Sequence, residues 1–417
     1  MFSRVFIKQR FKNREAIAAA IEIYESLSRI GFEFDLEKCL DAHLRQLNLC
    51  ETIPGSPEMA QTYSSHGIVC GVVPYFRRAI RYQRKGLAIR EASQDRWGVA
   101  QSLNFMGVNY YCMGRWKQSL SCLKKSARIL NEVGDRWESE VTNLFLSFNY
   151  LRSGQLELAV QHARTCLDQS RQAEDLQGMG WALWALADAT SRQGKLAVAL
   201  EYSQQALEGS EEAQDRMWVA AGRRALGQIH LKLGNRQQAV EEMEKSLQQI
   251  RNHGLRQEWV MGAFPGLAEA YLSVLDDEND HTARRVSLQR IRKLCRQAVS
   301  KAKKFPNWLG YAYRVSALYE WRVGDGRAAR RFFERSIETS ASLGASYELG
   351  MTYYDMGRFL LEAGRPEAGD CLDQAARLFE QCGAVLDRDQ AKALTLNLRR
   401  RIDHSDRASF GRRVMAN

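Results

Sequence analysis

Four glycines recur along this chain at a fixed interval of 40 residues: Gly114, Gly154, Gly194 and Gly234. The same neighbours stand around each glycine. A small residue lies seven positions before it and another lies five positions after it, and an acid stands twenty-one positions after the first three. A period of about 20 to 50 residues is the signature of a repeat architecture, in which each repeat packs on the next. The chain therefore has to be interpreted as an array before any single motif is considered.

One period contains two helices. Leu103, Met106 and Tyr110 are spaced three and four apart, which places them on one face of a helix. Gly114 ends this first helix, because glycine accepts a positive φ at no steric cost. After the second helix, Asp135 caps the next first helix by accepting bonds from its free N–H groups. Each period is therefore predicted to be a helical hairpin of 40 residues, which buries its apolar face only by stacking on its neighbours.

This pattern resembles the tetratricopeptide repeat family. Residues 103–123 follow its signature as Leu-x2-Met-Gly-x2-Tyr…Ser-x3-Leu, and the glycine, Gly107, leaves room for a second helix to approach closely. The period of the family is about 34, so the helices are longer here, and no proline closes the unit. With its Gly-Asp-Arg-Trp segment at 134–137, the chain is similar to arrays attached to bacterial signalling ATPases, kinases and cyclases. The resemblance implies an all-α fold, a right-handed α-solenoid of stacked hairpins that acts in protein binding.

Three segments are predicted along the chain. Residues 1–57 form N-terminal helices, as a cap or a degenerate repeat. Residues 58–384 form about eight hairpins, with an insertion near 275–283, after which Gly324 and Gly364 resume the spacing of 40. Residues 385–417 form a capping helix and a loose basic tail. Polar caps of this kind are needed at the ends of a solenoid.

Motifs and composition argue against catalysis and membrane insertion. The chain contains no phosphate-binding Gly-x4-Gly-Lys-[Ser/Thr], no Gly-x-Gly-x-x-Gly, no His-Glu-x-x-His and no Cys-x-x-Cys. No window of 18 apolar residues is available for a membrane span, and residues 1–12 lack the apolar core of a signal peptide. The nine cysteines are scattered, as expected of reduced thiols. We therefore expect a cytoplasmic protein that is not an enzyme and needs no cofactor or metal.

A candidate site follows from the repeat phase, since first helices are predicted to line the concave side. The positions two, six and ten before the turn glycines carry basic, polar or aromatic residues in several repeats, and one further tryptophan falls on the same side. The predicted partner-binding residues are Asn104, Arg152, Trp181, Trp184, Asp188, Arg192, Arg224, Gln228, Lys232, Arg314 and Arg322. A groove with cations and aromatic anchors suits a peptide or partner helix of acidic character.

The sharpest prediction concerns two adjacent first helices, 176–193 and 216–233. Trp184 and Arg192 lie on one ridge of the first of them, and Arg224 takes the position of Trp184 in the next. A partner carboxylate is predicted to pair with Arg192 or Arg224 while an apolar side chain packs on Trp184. Replacing both arginines by glutamate is then expected to abolish binding with little loss of thermal stability. In the competing interpretation the cations only stabilise the carboxyl-terminal ends of their own helices, and Trp184 is buried between hairpins.

Charge supports a second function. The net charge is +11, from 60 basic and 49 acidic residues, and it is concentrated at 77–90 and at 284–304, which holds nine cations and no acid. Both stretches fall on second helices, on the outer face, where they would bind phosphates. The alternatives are therefore a nucleic-acid-binding solenoid or merely a solubilising surface. A further alternative is that the chain is the repeat portion of a larger signalling ATPase or kinase system.

Overall fold

The computed structural model describes residues 13–34, 36–275 and 280–414. Within these ranges the chain forms nineteen α-helices and no β-strand, and consecutive helices pair as hairpins. The predicted all-α fold of stacked hairpins is confirmed. The acidic core of the predicted insertion, 276–279, lies outside the described residues.

The helices follow the repeat phase along the chain. In order they are α1 (Arg14–Phe34), α2 (Leu36–Cys50), α3 (Pro57–Val72), α4 (Phe76–Ala92), α5 (Arg96–Cys112), α6 (Trp116–Val133), α7 (Arg136–Arg152), α8 (Leu156–Ala173), α9 (Leu176–Arg192), α10 (Leu196–Glu212), α11 (Arg216–Leu233), α12 (Arg236–Asn252), α13 (Ala263–Val274), α14 (His281–Ala302), α15 (Leu309–Arg322), α16 (Gly326–Leu343), α17 (Ser346–Glu362), α18 (Ala368–Cys382) and α19 (Val385–Val414). Short 3-10 turns at Glu258–Val260 and Pro306–Trp308 precede α13 and α15. The last helix continues to Val414.

The turn and cap residues have the predicted conformations. The four spaced glycines have φ between 69° and 86°, in the left-handed region that favours glycine. The carboxylate of Asp95 accepts from the N–H of Gly98 at 2.8 Å, and that of Asp135 accepts from the N–H of Glu138 at 2.9 Å. Asp175 and Asp215 cap α9 and α11 in the same way. The acids of the repeat are helix caps.

Small residues bring the two helices of a hairpin into close contact. A methyl group added to Gly107 would lie 2.6 Å from Leu123 of the second helix, so no larger residue fits without a shift. The hydroxyl of Ser119 donates to the carbonyl of Gly107 at 2.7 Å, and that of Ser126 donates to the carbonyl of Ala100 at 2.8 Å. These serines join the second helix to the backbone of the first, which explains why the repeat demands small residues there.

The chain divides into two compact units. Unit 1 comprises Met1–Leu146 and Arg256–Glu258, and unit 2 comprises Ser147–Leu255 and Trp259–Asn417. The predicted segment boundaries at 57/58 and 384/385 remain a prediction. Among the described helices, none combines the length and the apolar character that crossing a membrane requires.

Candidate partner-binding site

A cluster of arginine and tryptophan side chains lies in the interior of unit 2. The guanidinium of Arg152 lies 3.9 Å from the ring centre of Trp308, and that of Arg224 lies 5.0 Å from the same ring. Arg224 also lies 5.5 Å from the ring of Trp184, so two arginines and two indoles stack together. Asp188 lies 4.0 Å from Arg224 and forms an ion pair with Arg192 at 3.1 Å. We call these residues, with Arg192, Trp181 and Trp218, the arginine–tryptophan cluster.

Aromatic rings surround the cluster. Trp184 meets Phe148 edge to face at 5.1 Å and Trp218 at 5.2 Å. Trp181 lies 5.6 Å from Trp218, which in turn stacks on Trp259 at 6.0 Å. Trp184 and Trp218 are 3% and 4% exposed, and the indole N–H groups of Trp181, Trp184 and Trp218 have no hydrogen-bond partner among the residues that the structure describes. Three buried donors without acceptors are unusual, since buried polar groups in proteins are nearly always bonded.

Arg224 is a buried charge of the cluster that is incompletely paired. It is 1% exposed, and its Nε and Nη2 have no hydrogen-bond partner among the described residues. Nη1 donates to the side-chain oxygen of Gln228, and the nearest carboxylate oxygen, on Asp188, is 4.0 Å from Nη2. Burial lowers the pKa of Arg224, and the charge of Asp188 offsets this only in part. A buried guanidinium in this position can accept a further anion without breaking an existing bond.

Asp188 is held ionised by the arginines around it. Burial acts to raise its pKa, but Arg192, Arg224 and Arg152 outweigh that effect and place the pKa below its ordinary value. One carboxylate thus interacts with three guanidinium groups in an environment shielded from water.

The cluster does not face an open groove, because the later helices of unit 2 cover it. The ammonium group of Lys232 donates to Asp387 at 2.9 Å and to the hydroxyl of Tyr347 at 2.8 Å. That hydroxyl also donates to Asp387 at 2.8 Å, and Arg192 lies 4.9 Å from the Tyr347 ring. Tyr347 and Asp387 belong to α17 and α19, whereas Lys232 and Arg192 belong to α11 and α9. We call this contact the α19 closure.

Glycines in the predicted turns make the α19 closure possible. A methyl group added to Gly194 would lie 2.8 Å from Cβ of Leu386, and one added to Gly154 would lie 2.6 Å from the sulfur of Cys382. The turns that end α7 and α9 therefore pack directly against the α18–α19 connection. The same glycines that reverse the chain also admit this contact.

Two predicted residues lie elsewhere in unit 2. Arg314 is bound by three carboxylates, those of Glu348 at 2.7 Å, Asp355 at 2.8 Å and Glu269 at 2.9 Å. Burial acts against its charge, but these carboxylates prevail and raise its pKa well above the ordinary value. Arg322 is exposed and lines a pocket of about 300 Å³ together with Arg314. The two line a second site, which does not include the residues of the arginine–tryptophan cluster.

Asn104 belongs to unit 1, not to the cluster. Its amide donates to Glu138 at 2.9 Å, and Gln101 donates to the same carboxylate at 2.8 Å. Burial raises the pKa of Glu138, and the two amides offset part of this rise. Asn104 is fully buried between neighbouring repeats, so its position in the sequence pattern marks an inter-repeat contact.

Sequence reasoning missed several contributors. Trp218, Glu138 and Glu348 each stand 34 residues after the predicted residue that they contact, namely Trp184, Asn104 and Arg314. That spacing is present in the sequence and would have revealed them. Trp308, Tyr347 and Asp387 give no such signal, because they reach the cluster from helices far along the chain. No group of three or more His, Cys, Asp or Glu in the described ranges is arranged to hold a metal.

The comparisons with known proteins agree with the repeat pattern. A family model described as tetratricopeptide repeat matches residues 138–212 and 178–252. No curated protein matches the sequence.

Solved structures share the fold over most of the chain. A Rap protein complexed with Competence and Sporulation Factor is 14% identical, with a TM-score of 0.59 over 94% of this chain and 99% of that chain. NprR in complex with its cognate peptide NprX is 14% identical, with a TM-score of 0.60 over 87% of this chain and 99% of that one. The apo form of the quorum sensor NprR from B. thuringiensis is 15% identical, with a TM-score of 0.55 over 87% and 99%. At this level of identity the likeness establishes the fold.

Proposed function

We propose, from the premise that this chain carries tetratricopeptide repeats, that it is a non-catalytic regulatory module which binds a peptide or helix of a partner protein at the arginine–tryptophan cluster. Among structures of the same fold, NprR is in complex with its cognate peptide NprX, and a Rap protein is complexed with Competence and Sporulation Factor. The partner carries at least one carboxylate beside an apolar side chain. Arg152, Trp181, Trp184, Asp188, Arg192, Arg224, Gln228 and Lys232 are the proposed contact residues.

The observation that carries this proposal is the incomplete pairing of Arg224, whose Nε and Nη2 donate to no described residue. A buried polar group without a partner costs about 1–3 kcal/mol, and a charged group costs more. A chain that only needed a stable core at this position would gain by an apolar residue or by a nearby acid. A ligand carboxylate would accept from Nε and Nη2, which no described residue bonds.

The indoles define the rest of the ligand. The N–H groups of Trp181, Trp184 and Trp218 offer donors to the carbonyl groups of a peptide backbone, since none is used within the described chain. Their rings provide an apolar wall for a side chain next to the carboxylate. Aromatic and arginine residues dominate the energetics of protein interfaces, and both are concentrated here.

Ligand binding requires the α19 closure to open. The cluster is buried, so a peptide reaches Arg224 only if α17 and α19 separate from α9 and α11. The carboxylate of Asp387 on Lys232 occupies a place that an acidic ligand would take. The unit is therefore proposed to exist in a closed form, which the structure describes, and an open form that binds.

The test compares two neighbouring arginines. Peptides retained by the intact chain are identified by mass spectrometry, and the affinity of a synthetic copy is measured by calorimetry. Arg224→Met should weaken binding at least about tenfold, since a charge-assisted bond is lost. Arg223→Met is the matched control, because Arg223 pairs with Glu211 at 2.6 Å and Glu242 at 3.0 Å, outside the cluster. Equal affinities of the two variants would refute the site.

Charge reversal is not a usable test here. The sequence predicted that Arg192→Glu with Arg224→Glu would leave stability nearly unchanged, but Arg224 is 1% exposed and faces Asp188. A glutamate at 224 would bury a second carboxylate against the first, and that expectation is corrected to a large loss of stability.

A further inference from the structure

A groove of about 510 Å³ opens between α12, α13 and α14, in a part of unit 2 that the proposed function does not use. Its floor is apolar and consists of Leu247, Leu267 and Leu294, all of them buried. Tyr271 lies at its side. The volume is within the range of about 300–1,000 Å³ that small-molecule sites have.

Unpaired cations line the rim of this groove. Arg251, Arg290 and Lys293 are exposed, and none of the three forms an ion pair with a described residue. The one acid of the lining, Glu244, accepts the hydroxyl of Tyr271. Because α14 has no acidic residue, no carboxylate of the same helix can neutralise Arg290 or Lys293. The rim therefore carries positive charge that can bind anionic groups.

An amide at the bottom of the groove lacks a partner. The side-chain oxygen of Gln297 is buried and accepts no hydrogen bond from the described residues. This oxygen is an acceptor, which the exocyclic N–H of a nucleobase can satisfy. The groove therefore combines a site for negative charge at its rim with an acceptor for N–H at its base.

We infer that this groove binds a nucleotide, either free or as one residue of a single-stranded nucleic acid. The phosphate lies on Arg290, Lys293 and Arg251, the base packs on the leucine floor beside Tyr271, and an N–H of the base donates to Gln297. A surface that only keeps the protein soluble needs cations but neither an apolar floor nor a buried acceptor. Exposed arginines continue along α14 at 285, 292 and 296, where a strand would place its further phosphates.

The test removes the same charge at two places on one helix. A fluorescent ATP analogue and a labelled single-stranded oligonucleotide are titrated into the intact chain. Arg290→Ala with Lys293→Ala should weaken binding at least about tenfold. Arg292→Ala with Arg296→Ala is the matched control, because these arginines are exposed on α14 outside the groove. It should leave the affinity for the ATP analogue within about threefold, as expected of screened surface charges.

A second variant distinguishes recognition of the base from recognition of the phosphate. Gln297→Leu should weaken the ATP analogue while leaving competition by inorganic phosphate unchanged, because phosphate does not use the amide. Binding of the ATP analogue identifies a free nucleotide as ligand, and binding of the oligonucleotide alone identifies a strand. No binding of either probe, or an equal loss of affinity for the ATP analogue in both double variants, would overturn the inference. Circular dichroism confirms that each variant is folded, and Arg224→Met should bind the probes as the wild type does.

Discussion

Arg224 and Arg314 occupy the same place in their repeats, ten residues before a turn glycine, yet they have opposite surroundings. Three carboxylates within 2.9 Å bind Arg314, whereas the nearest carboxylate oxygen to Arg224 is 4.0 Å away. Accordingly the pKa of Arg314 is raised well above its ordinary value, and that of Arg224 is lowered by burial. The two arginines thus share residue type and repeat position, and only their partners distinguish the structural charge, Arg314, from Arg224, which we propose binds a ligand.

A third repeat extends the comparison to unit 1. There the same position holds Asn104, and the residue 34 positions later, Glu138, accepts its amide. Glu348 stands 34 positions after Arg314 and binds it in the same manner. The position is therefore a regular contact between neighbouring repeats, which makes the weak pairing of Arg224 a local exception rather than a property of the array.

The largest expected effect comes from removing the satisfied arginine. Arg314→Met leaves Glu269 and Glu348 without their cation and leaves Asp355 with Arg358 alone, and breaking a buried pair of this kind costs about 3–5 kcal/mol. Urea unfolding should show this loss as a lower midpoint. Burial already raises the pKa values of Glu348 and Asp355. Protonation therefore favours the folded variant, and the loss should shrink as the pH is lowered. A loss that is independent of pH would contradict the ion-pair explanation.

In unit 1 the expected effect is intermediate. Glu138→Ala leaves the amides of Gln101 and Asn104 without an acceptor, at about 1–3 kcal/mol, whereas Glu138→Gln keeps an acceptor and should cost less. The pKa of Glu138 is raised by burial, so the protonated acid is the form that folding favours. Relative to Glu138→Gln, the wild type should gain stability as the pH falls from about 7 to about 5. Urea midpoints at the two pH values measure this difference.

Weakening the α19 closure should cause a smaller loss of stability and should also change the affinity for the partner. Asp387→Asn weakens the bond to Lys232 and should cost about 0.5–1.5 kcal/mol of stability. The open form becomes more populated, and the affinity for the acidic partner should rise by about threefold to tenfold. Asp389→Asn is the control, because Asp389 is exposed and pairs with Arg388. An unchanged affinity of Asp387→Asn would show that binding does not need the closure to open.

The smallest effect on stability is expected at the unsatisfied arginine. Arg224→Met removes a buried charge that lacks full pairing, while Asp188 keeps Arg192, so the free energy of unfolding should change by no more than about 1 kcal/mol. The difference from Arg314→Met in the same urea experiment is the direct test of the comparison. A similar loss for both variants would mean that Arg224 stabilises the fold as Arg314 does.

The periodic part of the fold was predictable from the sequence because its causes are local. Gly114 ends a helix, Asp135 caps one and Gly107 admits a neighbour, each within a few residues or one repeat. The ridge of Trp184, Asp188 and Arg192 was predictable for the same reason. Its cover was not. Trp308, Tyr347 and Asp387 lie on elements far along the chain from Trp184, and no local pattern of the sequence specifies that these elements meet.

The bond between Lys232 and Asp387 joins residues 155 positions apart. It closes a ring that runs from α11 through the intervening hairpins to α19. The entropy lost on closing such a ring grows only with the logarithm of its length. An insertion within the ring, such as the acidic stretch at 276–279, would therefore change the entropic cost of closure little. A cut at the final helix, in contrast, opens the whole ring. Hydrogen exchange after such a cut should therefore increase in α9 and α11 as well as in the last hairpin, and a simple stack would loosen only at the severed end.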